Sequence, residues 1–240
     1  MAEIEWPAGL VERITERRGR LHCYDRLEPA RTALLVVDMQ TAFLKPEWPT
    51  SLAAAREIVP TVNRLAKAVR AAGGQVIWIV STYGPKEDDR WRILFEHVMG
   101  PKAGAFFREV LSEGHEGHAI WPHLEVCRED ATVAKNRFSA FCGSAGRLER
   151  LLKERGIDTL LVAGTVTNVC CESTAREAAF RDFKTIMVSD ANAGRSETDN
   201  LVTFSTFIRA FGDVMSSAEV MARLAAAAST VRPAAAAEGT

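Results

Sequence analysis

The sequence predicts an α/β protein: a three-layer α/β/α sandwich around a central, mostly parallel six-stranded sheet. Three observations carry that expectation. Short runs rich in β-branched residues recur along the chain, several of them are apolar almost without a break, and stretches of helical periodicity lie between them. A strand apolar at nearly every position has both faces covered, which points to a parallel sheet between helices. Alternating β and α elements then imply right-handed crossovers.

Taken in order, residues 1–30 read as an N-terminal arm carrying the basic, helix-like VERITERRGR. The first strand is TALLVVDM, Thr32–Met39. Val62, Leu65, Ala66 and Val69 follow i, i+3, i+4, i+7, and Gly73-Gly74 offers that helix a stop. QVIWIVS, Gln75–Ser81, is the second strand. Residues 83–131 are long for a crossover and carry Trp91, Phe95, Phe106, Phe107 and Trp121. Aromatics in a long insertion after a strand read as a pocket wall or lid.

TVAKN, Thr132–Asn136, is the third strand, followed by a helix through Leu148, Leu151 and Leu152 that Gly156 stops. TLLVAG (Thr159–Gly164), KTIMVSD (Lys184–Asp190) and the weaker DVMSS (Asp213–Ser217) complete the six strands. Helices through Ala178–Phe180 and through Phe204, Phe207, Ile208 and Phe211 separate them. One domain over residues 31–222 accounts for this rhythm. Residues 223–240 form an Ala-rich tail broken by Pro233, and its last part is expected to be disordered.

Bulk properties narrow the function. The 240 residues are 47% apolar and 25% charged, with a net charge of −1 and no basic patch to hold nucleic acid or an anionic membrane. The opening MAEIEWPAGL lacks the pattern of a secretory signal, and no run reaches the roughly 18 apolar residues of a membrane span. The expectation is a soluble, cytoplasmic protein. The five cysteines, Cys23, Cys127, Cys142, Cys170 and Cys171, are odd in number and irregularly spaced, against a disulfide framework.

Three polar residues fall at strand ends: Asp38 after the first, Lys135 after the third, and Cys170 beyond TLLVAG. Ligands of open parallel sheets bind beyond the carboxyl ends of the strands, so the three can meet in one cleft. Their chemistry is coherent. Only a thiolate attacks well; a helix N-terminus and an ammonium favour it, and a carboxylate can take the thiol proton and return it to a leaving amine. Taken singly, Asp38 also reads as a strand-end cap and Lys135 as a solvated strand end. The conjunction is what points to catalysis.

Helical phase distinguishes the adjacent cysteines. On a helix starting near Asn168, Cys171 aligns with Ala175, Ala178 and Ala179, a stripe suited to close packing. Cys170 aligns with Thr174, Glu177 and Arg181, a polar stripe. Cys170 is the candidate that faces a cleft.

VVDMQTAF (Val36–Phe43), KNRFSAF (Lys135–Phe141) and GTVTNVCCESTAREA (Gly164–Ala178) resemble the three signature blocks of the isochorismatase-like cysteine hydrolases. DANA (Asp190–Ala193) and FGDVMSSAEV (Phe211–Val220) resemble that family's closing segments. The resemblance implies a triad of Asp38, Lys135 and Cys170. It also implies a cis peptide between Thr165 and Val166 that turns the Val166 N–H toward that of Cys170, making an oxyanion hole. In that scheme Lys135 keeps the sulfur anionic, Cys170 forms a thioester, and Asp38 protonates the leaving nitrogen and later activates water.

Within that family the chain looks most like members that hydrolyse small carbamoyl and ureido compounds, of the ureidoacrylate amidohydrolase type. Nicotinamidase-type members bind metal through histidines after the second strand, where this chain reads STYGPKEDDRW without one. The expectation is therefore an amidohydrolase of small non-peptide amide, carbamoyl or ureido C–N bonds, with no cofactor and no metal. Its partners are a small-molecule substrate and, as family members commonly assemble, further copies of itself. The alternatives are an isochorismatase-type enol-ether hydrolase, which does not rely on the cysteine, and a catalytically silent binding member of the fold.

Phe43, Trp91, Arg137 and Phe138 are the candidate substrate-binding residues. Arg137 either orients a substrate carboxylate through a bidentate contact or is a surface charge. His115, His118 and His123 read as parts of a polar loop rather than a metal site, because only His115 and His118 have useful spacing.

Overall fold

The computed structural model describes residues 4–84 and 91–230. Six strands form one parallel sheet in the order β3-β2-β1-β4-β5-β6. They are β1 (Thr32–Val37), β2 (Gln75–Ser81), β3 (Ala131–Lys135), β4 (Thr159–Thr165), β5 (Lys184–Ala193) and β6 (Asp213–Met215). Strand order reverses between β1 and β4, so their carboxyl ends open a crevice there. Every residue of β1 and of β4 is buried, as their continuous apolar runs require.

Side-chain alternation divides the core into two halves. Leu34 and Val36 of β1 face one side, with Val62, Leu65, Ala66 and Val69 of α4 (Val59–Ala71) and Val220 and Leu224 of α10 (Ser217–Thr230). Ala33, Leu35 and Val37 face the other, with Leu148 and Leu152 of α7 (Arg147–Glu154), Ala175 and Ala178 of α8 (Glu172–Phe180), and Phe204, Phe207 and Ile208 of α9 (Glu197–Ala210). Three layers result directly from strand periodicity and helical stripes. Helix α10 runs past residue 222, the expected end of the domain, because Leu224 is buried against the sheet. The end of the tail, from residue 231, lies outside the described residues.

The segment expected to form a wall or lid contains a π-helical turn (Ile93–Val98) and α5 (Pro101–Val110). The loop between β2 and β3 is stitched back to β1: Gln40 bridges Ile120, and Gln40 Nε2 donates to the carbonyls of Ser81 and His118. The expected loop histidines are held by local contacts. His115 Nδ1 accepts from the Gly117 N–H, His118 Nε2 lies 2.7 Å from Thr82 Oγ1, and the His123 ring packs against Trp121.

The N-terminal arm docks on the sheet's second face through α1 (Leu10–Arg18), which buries Leu10 and Ile14. His22 anchors the stretch that leads from α1 toward β1. Its Nδ1 lies 2.9 Å from Asp213 Oδ1 and its Nε2 lies 3.1 Å from Glu219 Oε1. Asp213 is fully buried, and its Oδ2 accepts from the backbone N–H groups of Cys23 and Tyr24. The hydrogen bond to Asp213 raises the His22 pKa above its ordinary 6.5; burial opposes it, the charges of Asp213 and Glu219 add to it, and Arg223 opposes.

A raised folded-state pKa means that protonated His22 stabilises the fold. That stabilisation is complete below about pH 6.5, the unfolded value, and fades as pH rises through the higher folded one. His22→Gln is therefore expected to cost about 1 kcal/mol near pH 5.5 and progressively less toward pH 9, measured by urea denaturation across that range.

Candidate active site

Four adjacent strands deliver the site. Asp38 follows β1 with φ of 52°, in the left-handed region that non-glycine residues seldom occupy, while its N–H bonds the Ile79 carbonyl of β2. Lys135 ends β3 in register with Ser81 at the end of β2. Near the end of β4, Gly164 has φ of 123°, and a Cβ there would lie 2.1 Å from the Val37 carbonyl oxygen. Only glycine lets β4 pass β1 this closely. The Thr165–Val166 peptide bond is cis.

The helix expected near Asn168 begins as a π-helical turn, Thr167–Cys171, that runs into α8. Such a widened turn occurs often where a side chain must be re-aimed. Cys171 is fully buried against the sheet, whereas Cys170, 8% exposed, lines a cavity. The structure thus separates the two sulfurs along the helical phases read from the sequence.

Lys135 lies at the centre, 1% exposed. Its Nζ donates to Ser81 Oγ at 2.8 Å, to the Arg137 carbonyl at 3.2 Å and to Cys170 Sγ at 3.5 Å. Asp38 Oδ2 lies 2.9 Å from the same nitrogen, as an ion pair. Four acceptors thus surround the three protons of one ammonium. Asp38 Oδ1 accepts from Ser81 Oγ at 2.9 Å. The carboxylate therefore has one oxygen held by the hydroxyl and the other facing the ammonium.

Burial is the largest single influence on the Lys135 ammonium and works against it, but Asp38, Cys170 and Tyr83 together outweigh it and raise the lysine's pKa. Burial also pushes the Cys170 thiol well up; the Asp38 charge adds to this, and Lys135 opposes it without prevailing. The sulfur accordingly rests as a thiol. This departs from the expectation that Lys135 keeps it anionic, since desolvation and the carboxylate together exceed the pull of one ammonium.

The cavity has a volume of about 210 Å³. Asp38, Ser81, Val166 and Cys170 form its polar wall, with Phe43, Met99, Phe107 and Phe138 among its apolar lining. Phe43 and Phe138 are thus where the sequence suggested. Trp91 and Arg137 are not in the lining. Trp91 packs edge-on against Phe138, while the Arg137 guanidinium lies 5.3 Å from the Trp91 ring centroid and donates to the Asn136 carbonyl. The cation at the cavity wall is Arg195, just beyond β5. Arg195, Ser81 and Tyr83 escaped the sequence reading; for the last two, the signal present was their place at the end of QVIWIVS.

Lys135 offsets a carboxylate that is itself 1% exposed. Lys135→Met leaves that charge unpaired and is expected to destabilise the protein by about 3–5 kcal/mol. Adding Asp38→Asn should recover much of the loss, as a urea-denaturation double-mutant cycle would show.

The Isochorismatase domain family model matches residues 32–219. Ureidoacrylate amidohydrolase RutB of Yersinia enterocolitica is 30% identical over 172 residues, covering 67% of this chain and 74% of that protein. Enterobactin synthase component B of Escherichia coli is 29% identical over 195 residues, covering 81% of this chain and 64% of its own. A cysteine hydrolase of Pseudomonas syringae superposes with a TM-score of 0.76 at 31% identity, over 84% of this chain and 95% of that one. With the family's domain spanning the whole sheet and every residue of the crevice, the chain belongs to the isochorismatase family.

Proposed function

We propose that the protein is a cysteine-dependent amidohydrolase that cleaves a small, non-peptide amide, carbamoyl or ureido C–N bond through a thioester. One observation carries this reading: at the cavity wall, Lys135 Nζ stands 3.5 Å from Cys170 Sγ and 2.9 Å from Asp38 Oδ2. The family membership supports a hydrolase, and the similarity to ureidoacrylate amidohydrolases supports a C–N bond as its target.

In this mechanism the Cys170 proton passes to Asp38 as sulfur attacks the substrate carbonyl. The N–H groups of Val166 and Cys170 hold the oxyanion, as a pair of oriented donors does in acyl transfer. The C–N bond breaks as Asp38 gives its proton to the leaving nitrogen. Water then loses a proton to Asp38 and attacks the thioester, the C–S bond breaks, and the proton returns to sulfur. Lys135 keeps its charge throughout and offsets whichever neighbour is anionic.

The substrate is small, because the cavity is. Its lining is mainly apolar, with Thr50, Ser81, Tyr83, Thr165 and Arg195 as polar groups beside Asp38 and Cys170, which suits a compact ureido or carbamoyl acid whose carboxylate meets the Arg195 guanidinium. A second reading, hydrolysis of an enol ether without covalent catalysis, draws on the match to an Isochorismatase domain and on the similarity to enterobactin synthase component B.

Cys170→Ala separates the two readings. On carbamoyl and ureido substrates it should lower kcat by about a thousandfold or more, while Cys171→Ala stays within a few-fold of the parent, as followed by ammonia release. Cleavage of an enol ether that survives Cys170→Ala would establish the second reading, and no turnover of either class would leave a binding protein.

Arg195→Gln should raise KM for ureido acids by about tenfold or more and leave neutral amides nearly unaffected. Equal effects on both classes would remove Arg195 from substrate recognition.

A further inference from the structure

Ser81 belongs to none of the three signature blocks, yet it touches both charged members of the site. It ends β2, between the strands that carry Asp38 and Lys135, and is 2% exposed. Its backbone is clamped twice by Gln40, which accepts from the Ser81 N–H at 2.7 Å and donates to its carbonyl at 3.0 Å. With the main chain so held, the hydroxyl has little freedom. It accepts from Lys135 Nζ at 2.8 Å and donates to Asp38 Oδ1 at 2.9 Å.

A hydroxyl has one proton to give, and Ser81 gives it to Oδ1. That bond fixes the carboxylate in rotation, so Oδ2 is the oxygen turned toward Lys135 Nζ. The same hydroxyl ties the ammonium to the carboxylate it offsets, so one side chain sets the relative positions of both.

We infer that Ser81 is a positioning residue that fixes the Asp38 carboxylate so that Oδ2 is presented as the acceptor of the Cys170 proton. The inference rests on the proposed roles of Asp38 and Cys170. The transfer moves one proton from Sγ to Oδ2 while sulfur bonds to an electrophile, and the carboxylate's negative charge is neutralised in the same step. Without the hydroxyl, the carboxylate rotates and meets the thiol in a productive orientation less often.

Alkylation of Cys170 by iodoacetamide tests this without a substrate, because sulfur must shed the same proton when it displaces iodide. Rates are read by intact mass and peptide mapping from pH 4 to 9 in the parent, Ser81→Ala and Ser81→Thr, with melting temperatures measured in parallel. Ser81→Ala should slow alkylation at pH 7 about tenfold. Ser81→Thr, which keeps the hydroxyl, should restore the rate.

A Ser81→Ala rate within twofold of the parent, or Ala and Thr variants slowed alike, would overturn the inference. The function itself is judged separately, by C–N hydrolysis in the parent and Cys170→Ala. If no amide, carbamoyl or ureido compound is cleaved while alkylation still tracks the Ser81 hydroxyl, the proposed reaction fails and the role of Ser81 stands.

Discussion

The site depends on one buried ammonium whose protons are all spoken for. Lys135 is surrounded by a thiol, a carboxylate, a hydroxyl and a carbonyl, four acceptors for its three protons. Burying an unpaired lysine would be prohibitive, so Asp38 must be ionised beside it. The resulting pair stabilises both charges. A thiol 3.5 Å from the same ammonium is what sets this pair apart from a merely structural one.

Strand order makes the arrangement possible. The four adjacent strands β3, β2, β1 and β4 each end at the same crevice, and each delivers one polar group: Lys135, Ser81, Asp38 and, one turn beyond, Cys170. Contributions separated widely in sequence converge because parallel strands present all their carboxyl ends on one side. Two unusual backbone positions complete the convergence, Asp38 in the left-handed region and Gly164 against the Val37 carbonyl. Both lie where β1 and β4 give way to the site, and Gly164 also lets β4 pair closely with β1 opposite Val37.

Much of this was legible in the sequence, and the parts that were not share a cause. The strand runs, the amphipathic helices and the phase difference between Cys170 and Cys171 are periodic signals, and periodicity survives without coordinates. Asp38 and Lys135 announced themselves as charges at the ends of apolar runs. Ser81 did not, because a serine ending a strand is ordinary until register sets it beside Lys135. Arg137 and Arg195 show the limit more sharply. Proximity in sequence to Lys135 favoured the first, but its side chain leaves the cavity to lie over Trp91, while Arg195 reaches the wall from β5. Rotamer direction and strand register are three-dimensional facts with no one-dimensional trace. The protonation state of Cys170 is another, since desolvation depends on everything packed around it.

A thiol pushed upward by burial looks ill suited to attack, and the conflict resolves when the site is counted as a whole. At rest it holds one cation, one anion and a neutral thiol, so its net charge is zero. Moving the sulfur proton to Asp38 shifts the negative charge from oxygen to sulfur and leaves the total unchanged, with Lys135 adjacent to both. Ionising Cys170 into bulk water would instead place a second anion in the same desolvated pocket, which is the cost that its raised pKa expresses. Short transfer within a neutral enclosure avoids that second anion and requires little rearrangement of the surrounding dipoles. Burial is thus compatible with the proposed role of Cys170 as nucleophile. In the proposed reaction it confines the proton to a path between two side chains, from which Asp38 returns it to the leaving nitrogen.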